Sequence, residues 1–203
     1  MNTLESKIKY EFEIWPPYEA FYIESMLFNT ISAVESINLI FDWIDLSNNL
    51  QKLDFEKYSE DQILDNLQNI ILHAGSISRY FWPSRDGVKN IHKLRSNKLR
   101  TVFEITDDNP LKNRDLRNAI EHFDERLDKY LSNEIVGNVI PNYVGPKQNN
   151  DEVPTHFFRA YYTDTVEFEL LGDQFNVEII IKEIIRVHEL LEKFTENGYR
   201  LKL

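Results

Sequence analysis

Apolar residues recur at helical spacing over most of the chain. Trp15-Pro16-Pro17 opens an apolar-rich run that continues to about Asn48. Proline suits a helix's first turn, where its missing N–H has no intrahelical partner to lose, so the pattern predicts a long first helix. Ser59 followed by Gln62 makes a capping box. Ile63, Leu67, Ile70, Ala74, Ile77 and Phe81 then recur every three or four residues, which predicts a second helix stopped by Trp82-Pro83-Ser84. After an Asp86-Gly87 turn, a third helix is expected from Val88 to Ile105. Its apolar side carries Val88, Ile91, Leu94, Leu99, Val102 and Phe103; its other side carries Lys89, Lys93 and Arg100, with His92 and Lys98 nearby. Asn109 as N-cap and Pro110 at the first helical position predict a fourth helix that runs to about Leu131.

From Ser132 to Thr155 the periodicity disappears. Gly137, Pro141, Gly145, Pro146 and Pro154 mark this stretch as a long irregular connection. The following segment is rich in Phe, Tyr, Val and Thr, with turn signals at Thr163-Asp164 and Gly172-Asp173, and reads as a small β-hairpin or meander. A last helix is expected from Val177 to about Glu196, capped by Asn176 and closed by Asn197-Gly198, with Ile180, Ile184, Val187, Leu191 and Phe194 as its apolar stripe. The expected architecture is therefore mainly α and a single domain over 1–203. An up-and-down helical bundle occupies 15–131, the irregular connection 132–155, and the hairpin with its final helix 156–203.

Composition narrows the chemistry. The 203 residues contain no cysteine, which excludes disulfides, thiolate metal sites and a thiol nucleophile. Six glycines and no Gly-rich phosphate loop argue against an NTPase or a dinucleotide enzyme. The N-terminal residues lack the apolar core of a signal peptide, and the most apolar run, Ile37 to Leu46, is too short for a membrane span and contains Asp42 and Asp45. A cytoplasmic location without membrane attachment is expected. The net charge of −11 is the wrong sign for binding nucleic acid over the whole surface. Yet Arg79 to Arg117 holds ten Lys/Arg against five Asp/Glu, a local excess of +5 to which an anionic ligand would be drawn.

The fourth helix concentrates the candidate chemistry. Leu116, Ile120, Phe123, Leu127 and Tyr130 define its core face. On a regular helical wheel His122 lies roughly 130° from the centre of that stripe and Asn118 nearly opposite it. A buried structural histidine fits that placement poorly. A solvated face of mixed charge fits it well, since Arg117 with Glu121, and Asn118 with His122, are pairs four residues apart.

Arg117-Asn118-Ala119-Ile120-Glu121-His122 on a late helix of an all-α bundle resembles the HEPN superfamily, whose signature is an arginine, often followed by a polar residue, with a histidine four to six residues on. The resemblance spans roughly Trp15 to Leu131 and makes that segment a HEPN-like four-helix core. It extends more loosely, through Ser78 to Pro83 and Arg117 to Arg126, to uncharacterised bacterial HEPN-like proteins. What it implies is a metal-independent endoribonuclease without a cofactor, of the kind found among toxins and phage-defence effectors. Arg117 and His122 would be the catalytic pair, in a cleft completed by a homodimer. Asn118, Glu121 and Asp124 would support them. A regulatory protein partner is expected as well. In the HEPN toxins that a nucleotidyltransferase antitoxin modifies, a tyrosine lies two residues after the histidine; here that residue is Asp124, so control by that route is not expected. HEPN domains without nuclease activity imply the alternative, a helical interaction or dimerisation module in a defence or regulatory complex.

Lys89, Lys93, Arg100 and Arg114 are the candidates for tracking an RNA backbone, with Arg79, Arg85 and Lys112 nearby. Tyr80, Phe81 and Trp82 would stack bases only if they were not core. The five histidines are scattered, with no pair at metal-ligand spacing on one helix, so no metal site is expected.

Overall fold

The computed structural model describes residues 13–48, 59–84, 91–148 and 153–202. The chain is mostly helical, with one small sheet and a C-terminal helix. Helices α1 (Pro16–Asn48), α2 (Glu60–Phe81) and α6 (Glu178–Glu196) pack on one another and enclose the main core. The capping box of α2 forms as expected: Gln62 N–H donates to Ser59 Oγ at 3.2 Å, and Ser59 N–H donates to Gln62 Oε1 at 2.9 Å. All six residues of the expected α2 stripe are buried. At the end of α6, Gly198 takes a φ of +68°, the left-handed geometry in which glycine ends a helix without strain.

Helix α3 (Ile91–Val102) ends before the expected Ile105. Residues 85–90 lie outside the described residues, and with them Asp86-Gly87, Val88 and Lys89. Ser96 and Leu99 are the buried residues of α3, while Ile91 and Leu94 face outward. Beyond the helix, Phe103 is fully buried. Its ring meets Phe81 of α2 edge-on at 5.5 Å and Phe194 of α6 edge-on at 5.3 Å. Such T-shaped pairs add to the gain from burial, and here they tie three elements together.

The single fourth helix expected from Pro110 to Leu131 is three pieces. A 3₁₀ turn (Pro110–Lys112) comes first, with Asn109 Oδ1 accepting from Leu111 N–H at 3.0 Å. Helix α4 (Asp115–Glu121) then starts anew after the extended Asn113, whose Oδ1 accepts from Asp115 N–H at 2.7 Å. Helix α5 (Phe123–Leu131) follows a break at His122, where φ is −115° and ψ is 36°. The break has a packing cause. Helix α4 lies against α2, whereas α5 faces the sheet. The Arg159 guanidinium stands 4.0 Å above the Phe123 ring, and Tyr130 Oη shares a 2.6 Å hydrogen bond with His156 Nδ1. His156 Nε2 donates to the Val136 carbonyl at 3.1 Å, so Tyr130 is the donor in its own bond.

The expected hairpin is a four-stranded sheet in the order β1-β2-β3-β4. Strands β2 (Thr155–Tyr162), β3 (Glu167–Leu170) and β4 (Asp173–Asn176) form an antiparallel meander around the two predicted turns. The tighter turn carries Leu171 at φ +51° and Gly172 at φ +88°, the paired positive φ values of a two-residue hairpin. Strand β1 (Asn138–Gly145) comes from the stretch expected to be irregular, and it pairs with β2 in parallel. Pro141 had argued against a strand there. On an edge strand its missing N–H costs little, and β1 is an edge.

Truncating the aromatic hub is expected to be the most damaging single change to this core. Phe103→Ala should cost about 3–5 kcal/mol, read as a lower urea midpoint with an unchanged slope. A loss below about 1 kcal/mol would mean that the Phe81–Phe103–Phe194 contact does not hold the helices together.

Candidate functional site

The polar residues of α4 gather where that helix crosses α2. Glycine in a helix interior is locally unfavourable, so its presence at position 75 needs a reason, and Arg117 supplies it. A Cβ added at Gly75 would overlap Arg117 Cδ and lie 3.2 Å from Cγ. The aliphatic stem of Arg117 thus runs across the bare backbone of α2, and its side chain is only 13% exposed. At its far end Nη2 donates to Asn118 Oδ1 at 2.9 Å, and Nε lies 3.3 Å from Glu121 Oε2. Buried Arg117 Nε and Nη1 have no hydrogen-bond partner of good geometry. A cavity of about 20 Å³ lies alongside, lined by Gly75, Ser78, Arg114 and Arg117 among others.

Three guanidinium groups meet here. Arg114 Nη2 donates to the Trp82 carbonyl at 2.5 Å and so caps the end of α2. Its pKa is lowered, first by burial and then by the neighbouring charges of Arg117 and Arg79. Glu121 pairs with Arg117 and reaches Arg79 Nη2 at 3.9 Å. Such a cluster attracts anions even on an acidic protein, because Coulomb forces over a few ångströms outweigh the screened net charge.

His122 occupies the break between α4 and α5. Its side chain is 59% exposed, and Nδ1 lies 3.6 Å from Glu125 Oε1. The helix wheel placed it on the polar side, and that is where it lies. Asn118, Glu121 and Asp124 are exposed as well. Asn118 and Glu121 touch Arg117, while Glu125, rather than Asp124, is the carboxylate beside His122.

The residues expected to track RNA are scattered. Lys93 is exposed on α3. Arg100 is engaged by Asp107 at 3.2 Å and by Asn97 Oδ1 at 2.9 Å. Arg114 is committed to the Trp82 carbonyl, and Lys89 lies outside the described residues. Phe81 is core, whereas Tyr80 and Trp82 are partly exposed. Sequence reasoning missed Gly75, whose signal was a lone glycine inside a strong helical pattern. It also missed Arg95, which donates from Nη2 to the Arg79 carbonyl at 3.1 Å.

Among the described residues no group of three or more His, Asp or Glu side chains is placed to hold a metal ion, and no helix is long and apolar enough to cross a membrane. Comparison with protein-family models, curated proteins and solved structures gives no match to this chain.

The seat of Arg117 makes a testable demand on α2. Alanine is the better helix former by roughly 1 kcal/mol, yet Gly75→Ala is expected to destabilise the protein by about 1–2 kcal/mol through overpacking. In an Arg117→Ala background the same change should instead stabilise it by about 1 kcal/mol. Urea unfolding of the four proteins checks both signs. Stabilisation by Gly75→Ala alone would show that Arg117 does not lie across α2.

Proposed function

We propose that this protein is a metal-independent endoribonuclease of HEPN type, working as a homodimer, with Arg117 and His122 in the catalytic roles. The observation that carries the reading is the arginine cluster of Arg79, Arg114 and Arg117, with an exposed histidine five residues after Arg117 at a helix break. Cleavage next to a 2′-hydroxyl needs a base for that hydroxyl and an acid for the departing 5′-oxygen. Imidazole serves either role near neutral pH. A guanidinium remains charged and binds phosphate oxygens in a fixed fork, which stabilises charge in the transition state. In this reading Glu121 holds Arg117 in place until phosphate takes over the guanidinium edge, and Asn118 fixes its orientation.

One chain offers one such histidine. A two-fold axis bringing two copies of the motif together would supply acid and base at once. A cleft of this kind acts on single-stranded RNA, whose flexible backbone can bring the 2′-hydroxyl into line with the bond to be broken.

A second reading is favoured by different contacts. Both motif side chains have carboxylate neighbours, Arg117 with Glu121 and His122 with Glu125, as a surface of structural ion pairs would show. The outer side of α1 also exposes Tyr18, Phe21, Phe28 and Ile31. Exposed apolar patches of this kind mark contact with other proteins. On this reading the chain is a helical interaction or dimerisation module of a defence or regulatory complex.

RNA cleavage by the purified protein in excess EDTA separates the two. The nuclease reading expects cleavage products ending in a 2′,3′-cyclic phosphate. It also expects a loss of at least about a hundredfold in rate for His122→Ala, the usual weight of a general acid or base. Equal cleavage by both proteins would remove His122 from the mechanism. No cleavage by the wild-type protein over a panel of single-stranded RNAs would leave the interaction module standing.

A further inference from the structure

A larger cavity, of about 510 Å³, opens beside the arginine cluster between α1, α2 and α3. Its size falls within the range of small-ligand sites. Arg79 and Arg95 line it together with His92, and no carboxylate is among its described lining residues. That is notable in a chain of net charge −11. One of these cations is firmly held in place. Arg95 stacks over the Tyr80 ring, 5.5 Å from its centre, and its Nη2 is fixed to the Arg79 carbonyl. Tyr80 in turn is anchored through its hydroxyl to Ser25 Oγ at 2.5 Å. Asn29 and Ser84 add neutral polar groups to the wall, and Tyr80 and Pro83 add apolar surface.

We propose that this cavity is a binding site for a phosphate monoester carried on a nucleotide. The choice among anions follows from counting charges and donors. A phosphodiester in an RNA backbone has one negative charge, and a carboxylate has one charge and two oxygens. A phosphate monoester has close to two charges and three strong acceptor oxygens. Two guanidiniums and an imidazole around one cavity match that larger demand, with the fork of Arg79 and the Nη hydrogens of Arg95 not used on the Arg79 carbonyl as donors. The Tyr80 and Pro83 wall gives the sugar or base a surface to rest on, as mixed small-molecule sites do. The Tyr80 stack and the bond to the Arg79 carbonyl fix the Arg95 guanidinium, so less of its side-chain entropy is lost on binding.

The site shares Arg79 with the cluster of the ribonuclease reading but does not include Arg117 or His122. Arg79 touches both regions through Glu121, whereas Arg95 and His92 belong to the cavity. A phosphate monoester occurs on a free mononucleotide and at the phosphorylated end of an RNA, and the ligands of the test distinguish these sources.

The test is calorimetric titration at low ionic strength with AMP, adenosine, inorganic phosphate, and a short RNA bearing either a 5′-phosphate or a 5′-hydroxyl. The proposal expects saturable binding of AMP or of the 5′-phosphorylated RNA, at least about tenfold tighter than its unphosphorylated counterpart. Preference for AMP assigns the site to a free nucleotide; preference for the phosphorylated RNA assigns it to an RNA end. Arg95→Gln should weaken that binding at least about tenfold. Because Arg95 also packs on Tyr80, the exposed Arg79→Gln is the second variant, with the same expectation and with thermal unfolding confirming that it folds. His122→Ala should bind like wild type, so failure of the ribonuclease reading leaves this result intact. The proposal is overturned if neither phosphorylated ligand binds. It is overturned equally if phosphate and AMP bind alike and neither arginine variant changes them.

Discussion

A glycine at the centre of α2 sets how closely α4 can approach, and the geometry of the candidate site depends on that distance. With Gly75 bare, the methylenes of Arg117 lie across the helix backbone and the charged end emerges beside Arg79 and Arg114. With any larger residue the stem would have to lift. The guanidinium would then lose its fixed position relative to Asn118 and Glu121. Burying the stem of this long cation is favourable, although its Nε and Nη1 are buried without a partner of good geometry. It also gives the head a defined direction, which a freely rotating surface arginine lacks. The cost to α2 of an interior glycine is offset by the packing around it: Ala74, Ile77, Ser78 and Phe81 are all buried in the same stretch.

How much of this was legible in the sequence varies by element. Helices α1, α2 and α6 were readable because each is long, its ends carry specific signals, and its apolar face packs into one continuous core. The α4–α5 region was not, because its two halves have different partners. Leu116 and Ala119 of α4 are buried, whereas α5 has no fully buried residue. A helix wheel drawn from Asn109 to Leu131 assumes one straight body and one neighbour, and neither holds. Strand β1 was hidden for a related reason. Each of its paired residues meets one 17 positions downstream, and long-range pairing leaves no local signature beyond an apolar alternation that Pro141 interrupts. The candidate site was half visible. The spacing of Arg117, Asn118 and His122 marked an exposed polar face, but the carboxylate facing His122 and the cavity lined by Arg79 and Arg95 depend on how the helices meet.

Charge is distributed so that the acidic surface and the cationic site do not cancel. Helix α1 has no lysine or arginine, and the positive groups concentrate at the end of α2, on α3 and at the start of α4. At physiological ionic strength, exposed charges more than about 8 Å apart are largely screened from one another. The partly buried arginines feel their close neighbours instead. The pKa of Arg114 is lowered mainly by its own burial, and the charges of Arg117 and Arg79 lower it further. Repulsion of this kind is stored in the folded protein and relieved when an anion arrives, which gives such a cluster a binding preference that its net charge alone would not predict.

The break at His122 connects this electrostatic site to the rest of the chain. Up to Glu121 the helix belongs to α2; from Phe123 onward it belongs to the sheet, through Arg159 on Phe123 and His156 on Tyr130. His122 is therefore the residue at which two packed bodies join, and its imidazole lies outside both. A histidine in an unbroken helix would have its direction fixed by the helix axis. Here the direction is set by how α4 and α5 are each anchored, so the sheet, which carries none of the motif, contributes to where the imidazole points. The sheet thus acts on the site by position alone: it holds α5 away from the line of α4 and leaves the histidine exposed at the break between them.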